Sequence, residues 1–209
     1  FGFIGPNGAG KSTFIRTLLG LLLPSGGSAK IFGQEINNTS HKIRSKIGYL
    51  PSEINYYDGM TSRELLEYHA RFYKNTDINS IKGLAEMFEL ELDRKIEELS
   101  FGNKKKCAII QSVLHQPELL ILDEPTAGVD IELRRSMWKF LSELNESGTT
   151  IILTTHYLEE AEQLCRNIAI IDGGRIVEHC SMKDLLAQLD SQTYVIELSQ
   201  PMTEVIKFG

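Results

Sequence analysis

The fold is decided by a short glycine-rich stretch near the start of the chain, Gly5-Pro6-Asn7-Gly8-Ala9-Gly10-Lys11-Ser12. The apolar residues 1–4 come directly before it and predict a strand. A helix is predicted after it, over about residues 11–20. Glycines let the backbone curl so that N–H groups point inward, and the helix adds the positive end of its dipole. The stretch therefore predicts an anion-binding turn between a strand and a helix.

The same stretch fits the phosphate-binding pattern G-x-x-x-x-G-K-[ST], the P-loop. In such a loop the backbone amides hold the phosphates, and Lys11 would reach the β- and γ-phosphates. The hydroxyl of Ser12 would ligate Mg²⁺, and Thr13 continues the loop into the helix. A glycine turn that only caps a helix is the alternative, but the Lys-Ser pair at the right offset disfavours it. The pattern predicts nucleotide binding.

A pair of carboxylates follows a second apolar strand, residues 119–122. Asp123 is predicted to hold Mg²⁺ through water, as in P-loop enzymes generally. Glu124 is then suited to polarise an attacking water as a general base. Alone, a strand ending in Asp-Glu is weak evidence. Together with the P-loop it is strong, because the two strands can meet in a folded sheet.

The composition bounds the class of protein. The 209 residues are 42% hydrophobic and 24% charged, which is typical of a globular domain. A formal net charge of -6 argues against binding by bulk positive charge, so no nucleic-acid partner is expected. No apolar stretch approaches the ~20 residues that span a bilayer. Phe1 is not methionine, and we expect part of the natural N-terminus to be absent.

Strands alternate with helices along most of the chain, which predicts an α/β fold with a mostly parallel sheet flanked by helices. Residues 55–116 interrupt this pattern with amphipathic helices and predict an inserted helical subdomain. The α/β pattern resumes with a helix over 131–146, a strand over 149–155 and a hairpin around Asp172-Gly173-Gly174. Residues 1–181 form the predicted main domain. Residues 182–209 start a predicted accessory segment, with a helix over 182–189 and a strand near 194–198.

Further motifs carry a family resemblance. Leu99-Ser100-Phe101-Gly102-Asn103 resembles the LSGGQ signature of ABC ATPases. Residues 124–130 look like that family's D-loop, and Thr154-Thr155-His156 looks like its switch histidine. The resemblance covers the chain to about residue 181. Because the motifs stand in the family's order, the set is more specific than any one of them.

The resemblance implies an ATPase that works as a head-to-tail dimer, with a second ABC ATPase subunit of the same or a different kind. Each ATP would lie on one P-loop and under the partner's signature. Ser100 and Gly102, with Asn103 beside them, would contact the γ-phosphate across the interface. Asp130 would connect the two sites. His156 would sense the γ-phosphate and join Lys11 and Glu124 as the catalytic residues.

The resemblance also implies a transporter motor at the cytoplasmic face of the cell membrane, powering a separate integral membrane permease. Docking is expected near residues 55–98, with Tyr56, Tyr57 and Met60 as candidate contacts, although packing within the insertion explains them equally well. The segment after Ser181 resembles tails of antibiotic-efflux ATPases, which favours export. A soluble ABC-type ATPase acting on ribosomes is the alternative.

The chain departs from the family at several positions. Ser52 and Glu53 stand where the Q-loop glutamine is expected, and we hypothesise that Glu53 partly substitutes for it, a solvated loop residue being equally plausible. Phe101 replaces a glycine of the signature, and Asn103 replaces its glutamine. The run Lys104-Lys105-Lys106 is predicted to form a solvated helix face. The family's adenine-stacking aromatic would fall before Phe1.

Overall fold

The computed structural model describes residues 1–36, 41–56, 59–73 and 76–189. In these ranges the α-helices are α1 (Lys11–Leu18), α2 (His41–Arg44), α3 (Ser62–Ala70), α4 (Asn79–Met87), α5 (Phe101–Val113), α6 (Ile131–Glu146), α7 (Leu158–Leu164) and α8 (Met182–Leu189). The strands are β1 (Gly2–Ile4), β2 (Lys30–Ile31), β3 (Gln34–Glu35), β4 (Ile47–Leu50), β5 (Leu119–Asp123), β6 (Thr150–Thr155), β7 (Asn167–Asp172) and β8 (Arg175–Ser181).

The central sheet has the strand order β4-β5-β6-β1-β7-β8 in the described ranges. All neighbours pair in parallel except β7 and β8, which form the predicted antiparallel hairpin. This confirms the predicted α/β fold with a mostly parallel sheet. The short hairpin of β2 and β3 stands apart from this sheet, and only its first strand was predicted from the sequence.

Strand β5 explains why the sheet needs helices on both faces. Its residues are all buried, and neighbouring side chains point to opposite sides, as in any strand. Leu120 and Leu122 join the larger apolar core, which also holds the buried faces of α5 and α6. Leu119 and Ile121 join a second core with Ile15 of α1. A continuous apolar strand is the pattern expected when helices cover both faces.

The predicted insertion contains α3, α4 and α5, which lie between β4 and β5 in the chain. Helix α3 buries Leu65 and Leu66 and ends at Ala70, so Phe72 lies beyond its end and is exposed. A complete capping box starts this helix: Thr61 Oγ1 accepts from the Glu64 amide, and the Glu64 carboxylate accepts from the Thr61 amide.

Three further predictions have different outcomes. Helix α8 spans the predicted residues 182–189, whereas the predicted strand near 194–198 lies outside the described residues, as does Tyr57. The solvated face predicted for the lysine run is wrong at Lys105, which is fully buried. No helix in the described ranges is long and apolar enough to cross a membrane.

Candidate functional site

Three predicted motifs meet at one edge of the sheet. In register, Ile4 of β1 lies beside Thr155 of β6, and Asp123 of β5 lies beside Thr154. All three strands are parallel, so the segments that follow them emerge at the same edge. We call residues 5–12, 123–124 and 154–156 the phosphate edge.

The glycine-rich loop has the geometry that its sequence predicts. Gly10 caps α1 with a φ of 104°, a left-handed conformation that favours glycine. Gly5 lies so close to β7 that an added Cβ would be 2.3 Å from the Ile171 carbonyl oxygen. The Gly5 amide donates to Thr155 O, and the Gly174 amide donates to Ala9 O. The loop is therefore fixed to the sheet and to the β7–β8 hairpin.

Lys11 is buried inside this loop, with only 5% of its side chain exposed. Its ammonium donates to the carbonyl oxygens of Gly5, at 2.8 Å, and Pro6, at 3.1 Å. The same Nζ lies 3.3 Å from Glu124 Oε1. A buried cation held only by oxygen atoms is well suited to receive a phosphate, because anionic oxygens can take the place of its present partners.

Asp123 is completely buried at the end of β5. Its Oδ1 accepts a hydrogen bond from Thr154 Oγ1, while its Oδ2 has no partner among the described residues. A buried carboxylate oxygen without a donor is costly unless a cation or water serves it. This orphan oxygen fits the predicted Mg²⁺ role.

The backbone of Glu124 is in an unusual conformation, with a φ of 50°. Left-handed backbone costs a residue other than glycine about 1 kcal/mol or more and tends to occur at functional sites. The Glu124 amide donates to both Thr154 O and Thr154 Oγ1, each at 3.1 Å. The side chain is 19% exposed and lies 3.3 Å from both Lys11 Nζ and His156 Nδ1. Thus the three predicted catalytic side chains converge.

The remaining predicted contacts lie at helix starts. Ser100 caps α5, its Oγ accepting from the Asn103 amide at 3.3 Å, and Asp130 caps α6 by accepting from the Leu133 amide at 2.8 Å. Both residues are exposed. Gly102 follows in the first turn of α5, where an added Cβ would approach only a Leu133 methyl at 3.6 Å.

A cleft of about 470 Å³ opens over the P-loop. It is lined by loop residues, by Glu124 and by four residues from other segments, Ser52, Glu53, Phe101 and Ala127. Asn7, Gly8, Gly10, Lys11, Ser12 and Thr13 are the P-loop residues that line it. Ala9 is instead buried behind the loop. Ser100, Gly102, Asn103 and Asp130 are not among the lining residues, so Phe101 is the one signature residue that borders the cleft in the described chain.

Sequence reasoning missed several buried polar residues around this edge. Thr154 joins Asp123 to the Glu124 backbone, and only the strand register reveals it. Glu160 of α7 is 1% exposed and accepts hydrogen bonds from Thr126 Oγ1, at 2.7 Å, and Trp138 Nε1, at 3.4 Å. Its neighbour in α7, the small apolar Ala161, is also buried, and this is the sequence signal that could have indicated the burial of Glu160.

Lys105 is the residue whose wrong assignment from the sequence matters most for this site. It precedes buried Ile109 by four residues and buried Ser112 by seven, so helical spacing could have placed it on the buried face. Burial lowers the pKa of Lys105, and the nearby carboxylates of Asp123, Glu124 and Glu160 partly offset that effect.

A parallel sheet whose glycine-rich loop and acidic strand end share one edge defines the P-loop class of nucleotide-binding proteins. The model of the ABC transporter family matches residues 1–127. The chain belongs to the ABC transporter family.

Two curated relatives are described as ATP-binding proteins. The chain is 38% identical over 200 residues to the linearmycin resistance ATP-binding protein LnrL of Bacillus subtilis, covering 93% of this chain and 64% of that protein. It is 36% identical over 191 residues to the Nod factor export ATP-binding protein I of Ralstonia nicotianae, covering 89% and 60%. The chain thus spans less than two thirds of the length of these relatives.

Two solved structures share the fold. An ATP-binding subunit of an ABC transporter has a TM-score of 0.82 and 30% identity, covering 90% of this chain and 81% of its own. The ATP-binding cassette MJ0796, a dimer in a post-hydrolysis state bound to ADP and Pi, has a TM-score of 0.79 and 25% identity, covering 87% and 84%.

Proposed function

We propose that this chain is the ATP-binding and ATP-hydrolysing part of an ABC exporter subunit. The observation that carries the proposal is the convergence of Lys11, Glu124 and His156 beside the P-loop, with contacts of 3.3 Å from Glu124 to each of the other two. Such a set can bind phosphate and activate water at one place. The family membership supports the same activity.

The roles of the residues follow from their contacts. Lys11 would leave the carbonyls of Gly5 and Pro6 and donate to the β- and γ-phosphate oxygens. Glu124 would then accept a proton from the attacking water, at a carboxylate whose backbone is held rigidly by Thr154. His156, next to that carboxylate, would donate to the γ-phosphate.

Ser12 and Asp123 are the residues that would hold Mg²⁺, Ser12 through its hydroxyl and Asp123 through water. Among the described residues no group of three or more His, Cys, Asp and Glu could hold a metal by itself. A P-loop site needs no such group, because phosphates and water supply the other ligands. When bound, the ion would neutralise charge on the phosphates.

The exposed caps of α5 and α6 support the proposed dimer. Ser100, Gly102 and Asn103 lie at the N-terminus of α5, where backbone N–H groups and the helix dipole favour an anion. Of the signature residues only Phe101 lines the cleft of its own chain, so these three are free to contact the γ-phosphate on a partner. Asp130 would reach across the same interface. The dimeric MJ0796 structure supports this arrangement by analogy.

Export through a separate permease, at the cytoplasmic face of the membrane, is proposed from the relatives. Their names describe antibiotic resistance and export of a signal molecule. For the α8 region we propose the start of an accessory segment, which these longer relatives have room for.

A lateral groove of about 340 Å³ is the proposed docking site for the permease. It lies between α3, α5 and the loop after β4, and its lining includes Tyr56, His69, Gln111 and His115. His69 Nε2 and His115 Nδ1 are buried without a hydrogen-bond partner in the described ranges. Both nitrogens are closed off from solvent, so a permease segment would contact the lining surface around them rather than the nitrogens themselves. Met60 packs against the core instead.

The test is capture of the partner. The full-length protein carrying Glu124→Gln should bind ATP without hydrolysing it, so its complexes should persist. Cells would be solubilised in mild detergent, and the tagged protein isolated with ATP present. A polytopic membrane protein in near-stoichiometric yield is the expected result. Ribosomal proteins without a permease would replace the proposal with the ribosomal alternative.

A matched pair of variants tests the groove. Asn55 is exposed at the rim of the groove, so Asn55→Trp in the Glu124→Gln protein should block docking without disturbing the core. Glu91→Trp, at another exposed position, is the control. Loss of the permease with the first variant alone supports the site, and equal yields from both would reject it.

A further inference from the structure

Lys105 is the one fully buried lysine in the described chain, and it takes no part in the proposed hydrolysis. It lies in the second turn of α5, the helix that begins at the signature. Its Nζ donates to two main-chain carbonyls, Ser52 O and Glu124 O, each at 3.4 Å. The Glu124 carbonyl belongs to the phosphate edge, and the Ser52 carbonyl belongs to the loop after β4. Both are distant from Lys105 in sequence.

Burying an ammonium group is unfavourable unless nearby groups compensate. Here two carbonyl dipoles contact Nζ, and the carboxylates of Asp123, Glu124 and Glu160 favour the charged form from farther away. None of these carboxylates lies within 4.0 Å of Nζ in the part of the chain that the structure describes. The two carbonyl contacts, and not a salt bridge, therefore explain why the ammonium group of Lys105 is buried here.

The Glu124 carbonyl is a specific target, because it belongs to a left-handed residue with a φ of 50°. Thr154 holds the amide side of this residue, and Lys105 holds the carbonyl side. The other carbonyl, that of Ser52, belongs to the loop that carries Glu53 into the cleft. One side chain therefore joins the signature helix to both loops that border the attacking water in the proposed mechanism.

We propose that Lys105 is a positioning residue, which holds the strained main chain of Glu124 and the Ser52–Glu53 loop on the signature helix so that the Glu124 carboxylate is aligned for hydrolysis. The inference rests on the proposed ATPase function. It assigns Lys105 no contact with nucleotide, so binding of ATP and pairing of the signature with a partner's nucleotide do not depend on it.

The test compares Lys105→Met, Lys105→Gln and the control Lys106→Met in the full-length protein. Lys106 is half-buried on the same helix and, among the described residues, donates to Glu89 O at 3.5 Å. Replacing Lys106 with methionine therefore removes the same charge from the helix without removing the contacts to Ser52 O and Glu124 O. We expect Lys105→Met to lower kcat about tenfold, since small misplacements of a catalytic group have effects of this order or larger. KM and the Kd of a fluorescent ATP analogue should stay within about twofold of wild type. Lys105→Gln keeps an N–H donor on a shorter side chain and should recover to within about threefold.

A second readout separates positioning from simple support of the signature. In the Glu124→Gln background, ATP-driven dimerisation is measured by size-exclusion chromatography. Lys105→Met should leave it unchanged, because the cap at Ser100 is intact. Loss of dimerisation would overturn the proposal, as would an unchanged kcat in Lys105→Met or equal losses in the Met and Gln variants. If the Met variant does not fold, Lys105→Ala takes its place: a kcat lowered about tenfold at unchanged KM supports the proposal, and a kcat equal to wild type contradicts it.

Failure of this inference is distinguishable from failure of the proposed function. A wild-type protein without ATP hydrolysis removes the ATPase assignment itself, whereas hydrolysis that survives Glu124→Gln removes only the role of Glu124 as the base. A wild-type protein that hydrolyses ATP, with Lys105 variants that behave like Lys106→Met, removes only the role of Lys105.

Discussion

The buried polar groups of the phosphate edge have different surroundings from those of the lateral groove. At the edge, Lys11, Glu124 and Thr154 contact one another, and the one buried carboxylate oxygen without a partner in the described ranges, Asp123 Oδ2, lies where a cation is proposed to bind. In the groove, the rings of Tyr73 and His115 stack with centroids 4.0 Å apart, yet ring nitrogens of His69 and His115 lack partners among the described residues.

This difference indicates two kinds of site. The edge is organised before its substrate arrives, as electrostatic catalysis requires, because its groups need little rearrangement. The groove instead combines apolar walls with a few polar side chains such as Gln111, which is typical of a surface that receives another molecule. Variants of the edge should therefore change chemistry most, and variants of the groove should change stability and assembly.

The largest effect is expected from Glu124→Gln, which removes the proposed base. kcat should fall by about 100-fold or more, because general base catalysis contributes on that scale. ATP binding should remain, since Lys11 keeps its loop. kcat is measured by steady-state phosphate release, and ATP binding is measured by titration with a fluorescent ATP analogue. Glu118→Gln, at the exposed opposite end of β5 and paired with Lys46, is the control. A fall below about tenfold would exclude Glu124 as the base.

Thr154→Val should have the next largest effect, on stability as well as on rate. It removes the hydroxyl between Asp123 Oδ1 and the Glu124 amide, leaving the buried carboxylate without a donor in the described ranges. We expect a loss of about 2 kcal/mol in the free energy of unfolding, measured by urea denaturation. Thr150→Val, exposed on the same strand, should change little. Equal values for the two variants would contradict the proposed network.

The sequence predicted the edge well, because each of its motifs is contiguous. Residues 5–12 contain the whole loop, and Asp123-Glu124 ends a strand whose apolar run is unmistakable. The helix over 131–146 was also predicted correctly, since Asp130 and Gly148 bracket a regular amphipathic pattern. Local patterns suffice where the local chain contains all of the information.

What the sequence could not predict depends on contacts between distant segments. The bond from Thr154 to Asp123 requires the register of β5 and β6, and no spacing in the chain encodes that register. Lys105 was assigned to solvent because it stands among lysines, yet packing of α5 onto the sheet buries it. The groove likewise exists only once α3 and α5 come together.

In the groove, acid should destabilise the fold through His69. Burial, followed by the neighbouring His115, lowers the pKa of His69 to about 4, whereas an unfolded histidine titrates near 6.5. The unfolded chain therefore binds the proton more readily, so stability falls as the pH drops from about 6.5 towards 4 and changes little above that range.

Comparison of wild type with His69→Asn measures this effect. Between pH 7 and pH 5 the wild type should lose about 1–2 kcal/mol more free energy of unfolding than the variant, as judged by urea midpoints. His179→Asn removes an exposed histidine and should keep the full acid sensitivity. If His69→Asn loses as much stability in acid as wild type, burial of His69 is not the cause.

The smallest effect is expected at the start of α3, which forms one wall of the groove. Thr61→Ala removes the capping oxygen that accepts from the Glu64 amide at 3.2 Å. Capping residues contribute about 1 kcal/mol, so Tm should fall by a few degrees while kcat is unchanged, because α3 contributes no residue to the phosphate edge. Ser136→Ala, exposed in the middle of α6, is a control that should not lower Tm, since alanine is the better helix former. A fall in kcat with Thr61→Ala would mean that the groove and the edge are coupled even without the permease, and the separation drawn here between a preorganised site and a receiving surface would then be wrong.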